Sequence, residues 1–135
     1  SLIIVASVFQ AVACVFPITK VKTTLLYPME DSLERGCRLE AEAHAYEEFP
    51  KEACGLIVAG AYFPCVNIAD EPDLDFVLNP VDYLKAMQTG KIEAVVHSHP
   101  KGGGPSAFDL KSCKQTKLRW YVFSVPDSTW KVIEV

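Results

Sequence analysis

No two cysteines of this 135-residue chain stand in Cys-x-x-Cys spacing, although five are present, at 14, 37, 54, 65 and 113. That excludes a zinc ribbon and a paired-thiol redox motif. An odd number of cysteines without a framework spacing reads as buried, reduced thiols of an intracellular protein. Cys54 and Cys65 lie where a hairpin would let them pair, but nothing in the sequence requires it. No run of Lys or Arg offsets the formal charge of −4, so nothing marks a nucleic-acid surface. The one modest basic group, Lys111, Lys114, Lys117 and Arg119, reads as a solvated helix face. No apolar run reaches the roughly 20 residues a membrane span needs. There is no internal repeat and no low-complexity tract, and hydrophobic residues make up 50% of the chain, which argues for one folded domain around one core.

The longest apolar run, residues 2–16, is closed by Pro17 and Lys20. It reads as a core strand or a segment contacting a partner. Its Ala-Val-Ala-Cys end also looks like a signal-peptide cleavage region, but no basic stretch precedes it. We treat residues 1–37 as an apolar N-terminal extension packed on the domain, and 38–135 as the domain itself. The β-prone stretch 19–27 predicts a strand, and 28–32 a turn. Good helix formers fill 33–48, with Gly36 the one weak position, and Pro50 closes that helix. Residues 54–59 and 61–68 read as a hairpin turning at Gly60. An acidic loop follows over 69–75, then a short strand at 76–78. Asn79-Pro80 opens a helix running to about Gln88. A buried strand over 92–98, a helix from Ser106 to Thr116, and closing strands over 120–125 and 130–135 complete the pattern. Strands interleaved with helices predict an α/β (α+β) domain, a mixed sheet flanked by helices.

Histidine is scarce: there are three, and two of them sit in His97-Ser98-His99 at the end of the strand beginning Ile92-Glu93-Ala94-Val95-Val96. Side chains at i and i+2 of a strand share a face. Two imidazoles on one face, with Asp109 ten residues on, make three ligands for one Zn²⁺ and leave a position for water, as catalytic zinc sites do. A single His in a core is more often structural, but a pair at a strand end leading into a Gly/Pro loop is placed where sites are built. Asp109 also sits where a capping-box carboxylate would, three residues after Ser106, and both roles can coexist. The Ser106 hydroxyl could likewise cap the helix or donate to a developing oxyanion. Metal-assisted hydrolysis needs a general base. Glu52, at the mouth of the 54–59 strand, is the first candidate, against the plainer reading of a solvated Glu. Glu93 is the second, since alternation sets it on the face of the His pair but deeper in the sheet.

The pattern Glu52 … His97-Ser98-His99-Pro100 … Ser106-Ala107-Phe108-Asp109 resembles the JAMM motif of MPN-domain metalloproteases, Glu … His-x-His … Ser-x-x-Asp. The stretches Phe49-Pro50-Lys51-Glu52-Ala53-Cys54-Gly55, Phe76 to Tyr83 and Trp120 to Asp127 are similar to the MPN domains of phage tail assembly proteins. The likeness runs over about 38–135. It implies a curved sheet flanked by helices, similar to cytidine deaminase. It also implies Zn²⁺ held by His97, His99 and Asp109, Glu52 as proton shuttle, Ser106 as oxyanion donor, and hydrolysis of peptide or isopeptide bonds. Partners implied are protein, peptide or peptidoglycan substrates and phage tail proteins, in the bacterial cytoplasm during assembly or in the virion tail. A scaffold role in tail assembly and processing of sulfur-carrier proteins are the alternatives it carries. One departure is visible: six residues, three of them consecutive glycines, separate His99 from Ser106, where the family usually has seven.

Overall fold

In a computed structural model, residues 22–25 and 35–134 are described. The apolar run 2–16, the ends of the strand expected over 19–27, the 28–32 turn and Cys14 lie outside them. Nine elements follow in order: β1 (Lys22–Leu25), α1 (Arg35–Glu48), β2 (Cys54–Val58), β3 (Ala61–Cys65), α2 (Pro80–Thr89), β4 (Ile92–His99), α3 (Ala107–Thr116), β5 (Arg119–Ser124) and β6 (Thr129–Glu134). The strands form one mixed six-stranded sheet in the order β1-β6-β5-β4-β2-β3. Among the described strands only β4 and β5 run parallel; the connection between them carries α3, since parallel neighbours need a crossover. β1, drawn from the stretch before residue 38, pairs antiparallel with β6, Lys22 opposite Glu134.

Period-2 alternation sorts the core into two layers. Leu56, Val58, Val95, Trp120 and Ile133 pack with Phe76, Leu78, Tyr83 and Ala86 and with Cys113 on the face covered by α2 and α3. Ile57, Ala94, Val96, Tyr121, Phe123 and Val132 point the other way, to Cys37, Ala41 and Ala45 of α1. Those three helix residues recur every fourth position, so small side chains make one stripe along α1 and let it lie close to the sheet. Because both faces are covered, β4 is buried from Ala94 to Ser98, as its continuous apolar reading requires. Each buried Trp finds a partner for its indole N–H: Trp120 donates to Thr116 Oγ1 at 2.9 Å and Trp130 to Glu42 Oε1 at 2.9 Å.

Three expectations are corrected. Residues 76–78 form no strand; they make a single bridge, Leu78 to Asn67, and their apolar side chains fill the core from a loop. A short apolar run has the same signature in either setting. The second hairpin strand ends at Cys65, and Pro64 within it fits an edge position, where a ladder donor is not needed. Arg119 does not belong to a helix face: it lies on β5, 3.7 Å from the Glu134 carboxylate on β6, while Lys111 and Lys114 are exposed on α3. The β2–β3 turn is a two-residue loop with φ of +49° at Ala59 and +77° at Gly60, both in the left-handed region. That is the type I′ geometry whose twist suits a hairpin.

Cys54 and Cys65 are opposite each other in the β2–β3 register, and both are free and buried. Beside them Gly55 lies under the Tyr62 ring, so close that an added Cβ would stand 2.5 Å from it. The Tyr62 hydroxyl is itself held by His44 Nδ1. Gly55→Ala is therefore expected to lower stability by about 1–3 kcal/mol, the usual cost of overpacking. Urea unfolding should show the loss, and pairing the change with Tyr62→Leu should recover part of it.

Candidate metal centre

β4 ends inside the domain rather than at its surface, and this sets where His97 and His99 point. Both share the α2/α3 face with Val95, and His97 is 1% exposed. Its ring is stacked on Phe76 at 4.5 Å between centroids and meets the edge of Trp120 at 5.5 Å. Among the described residues the buried His97 Nδ1 has no hydrogen-bond partner. Aromatic packing, rather than a hydrogen-bonded acceptor behind the ring, therefore orients Nε2.

After His99 the chain must return to start α3 within six residues. Gly102 and Gly103 make this feasible: φ is +84° and +86°, a backbone region costly for other residues. The turn is closed by Gly102 N–H donating to His99 O at 3.1 Å, and Val125 N–H bonds the same carbonyl. Ser106 then caps α3. Its Oγ accepts from Asp109 N–H at 3.1 Å, and Asp109 Oδ2 accepts from Ser106 N–H at 2.9 Å. The capping box holds Asp109 by its own backbone while its carboxylate reaches toward the imidazoles.

The result is a tight cluster. His97 Nε2 lies 3.2 Å from His99 Nε2 and 3.2 Å from Asp109 Oδ1; His99 Nε2 lies 3.2 Å from Asp109 Oδ2. Glu52 joins from the start of β2: one ligand atom from each of Glu52, His97 and His99 lies within 4.8 Å of the others. Three lone-pair donors gathered this closely in a buried place need a proton or a cation among them. Two nitrogens bound at 2.0–2.1 Å to one tetrahedral zinc stand about 3.3 Å apart, so the Nε2 pair has the spacing such an ion asks for. The nitrogen and oxygen donors are also the set zinc takes in catalytic sites. The residues present thus fit a metal.

Burial dominates the electrostatics. Glu52, 7% exposed, has its carboxyl pushed up to about 7 by desolvation, despite the opposing pull of His97 and His99. Asp109 goes the other way: burial works against its charge, but His97, His99 and the Ser106 N–H hold its carboxyl well below the usual range. His99 is raised; burial opposes its charge, and Asp109 and Glu52 outweigh that.

The structure brings Glu52, His97, His99 and Asp109 together, with Ser106 at the rim. Glu93 is not part of the group. A register shift between Ile57 and Val58 leaves Glu93 as the extra residue of β4, which breaks the alternation, and its carboxylate instead accepts from Gly60 N–H at 2.9 Å. A cleft of about 520 Å³ opens over the cluster. Glu52, Glu71, Asp73, Leu74 and Asp75 form one wall, and His99 to Gly102, Ser106, Phe108 and Asp109 the other.

One residue at the site escapes the sequence reading. Asn67, just past β3, donates from Nδ2 to the carbonyls of Glu52 (2.9 Å), Asp75 (3.0 Å) and Pro72 (3.3 Å). Its Oδ1 accepts from Ala69 N–H at 3.0 Å and Val77 N–H at 3.1 Å. The only available signal is an Asn two residues before a turn amide, an Asx-turn pattern, and that says nothing of Glu52.

The shifts of Glu52 and Asp109 have opposite consequences for stability. A carboxyl raised from 4.5 to about 7 binds its proton more tightly when folded. Its contribution is present below pH 4.5 and is lost as pH rises through 7. Chelator-treated Glu52→Gln should therefore gain about 1–3 kcal/mol relative to wild type between pH 5 and pH 8 in urea unfolding. Asp109, lowered from 3.8, stabilises above that value and loses its contribution as pH falls below it, so Asp109→Asn should flatten the acid limb.

Residues 35–133 match the family described as prokaryotic homologs of the JAB domain. Tail tip assembly protein K of Escherichia phage N15 is 39% identical over 97 residues, covering 68% of this chain and 40% of that protein. The chain thus spans less than half the length of that relative. The solution structure of a protein from Desulfitobacterium hafniense is similar with a TM-score of 0.54 at 24% identity, over 68% of this chain and 73% of that one. At this identity the likeness concerns the fold. With the family match running from α1 into β6, this chain belongs to the prokaryotic JAB-domain family.

Proposed function

We propose that the chain is a zinc-dependent hydrolase of peptide or isopeptide bonds, with His97, His99 and Asp109 holding the ion, Glu52 as general base and Ser106 as oxyanion donor. The observation that carries this reading is the convergence of His97 Nε2, His99 Nε2 and Asp109 at 3.2 Å beneath an open cleft, with Glu52 alongside. Zinc, when bound, supplies Lewis acidity: it makes water a nucleophile near neutral pH and polarises a carbonyl. Glu52, poised near 7, takes a proton onto its carboxylate and yields it to the departing amine nitrogen. Ser106 Oγ accepts from Asp109 N–H, so its own proton is available to an oxygen gaining negative charge. Phe76 and Trp120 keep His97 from rotating away.

The relative named for tail tip assembly directs the search for substrates and partners to tail proteins and the cell wall, in an infected bacterial cytoplasm or a virion tail. Among the described residues no helix is long and apolar enough to cross a membrane. A scaffold role is the second reading. It is favoured by exposed Val66, Val81 and Leu84, apolar side chains where the end of β3 meets α2 through Asn79 N–H to Val66 O.

Zinc content and amine release distinguish the two. The zinc-loaded protein is incubated with cross-linked peptidoglycan, tail proteins and ubiquitin-like carriers. Glu52→Gln should keep a full complement of zinc and lose at least about 100-fold in hydrolysis. His97→Ala and Asp109→Ala should lose the metal on dialysis, read by elemental analysis. Undiminished hydrolysis in Glu52→Gln removes Glu52 as the base. Stoichiometric zinc with no amine released from any pool favours the scaffold.

Ser106→Ala should lower stability by about 1 kcal/mol through the lost cap and kcat by about 100-fold. An unchanged kcat leaves Ser106 with the cap alone.

A further inference from the structure

The Glu52 carboxylate is held by no side chain among the described residues; its place over the imidazoles depends on its backbone. Four backbone ties are present. Glu52 N–H donates to Pro72 O at 2.7 Å, and Glu52 O accepts from Asn67 Nδ2 at 2.9 Å. The next residue is clasped by Ser98 of β4: Ala53 N–H donates to Ser98 Oγ at 2.8 Å, and Ser98 N–H to Ala53 O at 2.9 Å. The Ser98 bonds fix β2 to the strand of the His pair. Of the other two, one comes from Asn67 itself, and the second runs directly to Pro72 O of the 69–75 loop, a carbonyl that Asn67 also holds.

We propose that Asn67 is the positioning residue of the centre, locking Glu52 and the acidic cleft wall into one unit. The proposal rests on the reading of Glu52 as the base. The chemistry fits an amide and no other side chain of that size. Three carbonyls converge on one edge of Asn67 and two N–H groups on the other. A primary amide offers donors on one edge and an acceptor on the other. It is neutral, so it adds no charge beside Glu52. The arrangement also settles which end is nitrogen, since a reversed amide would set oxygen against three carbonyls.

Asn67→Asp separates the two edges. It keeps the acceptor for Ala69 and Val77 and loses every bond to Glu52, Pro72 and Asp75. Asn67→Ala removes both edges, and Asn79→Ala, which strips the α2 cap at Asn79 Oδ1, serves as a control for simple destabilisation. The readouts on zinc-loaded protein are zinc content, the crystal structure, and kcat and KM on whichever pool is cleaved. Zinc should remain stoichiometric in all three variants, because no ligand is touched. In Asn67→Asp the Glu52 carboxylate should move by about 1 Å or more relative to the imidazoles. A displacement of that size costs about 100-fold, here in kcat with KM little changed; Asn79→Ala should leave kcat unaffected.

A Glu52 carboxylate that stays in place in folded Asn67→Asp overturns the proposal, as does a kcat loss no greater than that of Asn79→Ala. If the Asn67 variants do not fold, amide hydrogen exchange of the wild type decides. Slow exchange at Glu52, Ala69 and Val77 together, opening as one unit, supports the lock, and fast exchange at Glu52 overturns it. The structural and exchange readouts need no turnover. An inactive wild type with an intact lock therefore fails the proposed hydrolase reading and leaves Asn67 standing, whereas an active enzyme indifferent to Asn67→Asp does the reverse.

Discussion

Cys54 stands opposite His97 in the β2–β4 ladder, and the site depends on that register. It brings Glu52, two residues before Cys54, level with the end of β4 where His97 and His99 emerge. A slip of one residue would turn every side chain of β2 to the other face, exposing Leu56 to the α1 layer and carrying Glu52 away from the imidazoles. The register is enforced by the core itself, since both faces of β2 and β4 are buried and each side chain has a layer to which it belongs. It is enforced again at the site by the reciprocal bonds between Ala53 and Ser98. Ser98, the residue between His97 and His99, thus acts on the opposite face of the strand: it clamps β2 while its neighbours face the cleft.

The cluster concentrates opposed electrostatic demands in a small volume. Asp109 is charged at a buried position, and what compensates it is local: imidazoles on one side, a helix N-terminus and the Ser106 N–H on the other. Negative charge at the first turn of a helix is favourable, so the capping box and the imidazoles favour the same charged form of Asp109. Glu52 has no comparable donor among the described residues and sits about as deep, so desolvation pushes it the other way. Two carboxyls of one cluster are thereby shifted in opposite directions, Asp109 well below the usual range and Glu52 up to about 7. That separation of carboxyl pKa values is how acid–base roles are assigned in active sites.

Much of this is legible in the sequence, and the legible part is local. His97, His99, Ser106 and Asp109 fall within thirteen residues, and strand alternation plus cap chemistry place them without knowledge of the sheet. Three short apolar residues at 76–78 read as a strand because composition reports burial and not pairing; in the fold they wall the His97 ring from a loop. Glu93 reads as sharing the imidazole face because alternation is assumed unbroken, and a register shift beside Ile57 breaks it. The six-residue loop after His99 reads as a departure from the motif, yet two left-handed glycines close it and deliver Ser106 to its capping position. Glycine's freedom shortens the path here.

What stays illegible is any role defined by backbone atoms distant in the chain. Glu52 is recognisable by type, but its position is set by the Pro72 carbonyl, the Asn67 side-chain amide and the Ser98 bonds to Ala53, and nothing beside Glu52 in the sequence announces them. The site thus has two halves of different character. His97, His99, Ser106 and Asp109 come from one contiguous strand–loop–helix, tied by the capping box within it and by Val125 N–H and the Phe76 and Trp120 rings from outside. Glu52 is held by the start of β2, by Asn67 just past β3 and by the 69–75 loop, with β2 paired between β3 and β4. The group of Glu52, His97 and His99 that could hold a cation draws on both halves, and so depends on the β2–β4 register.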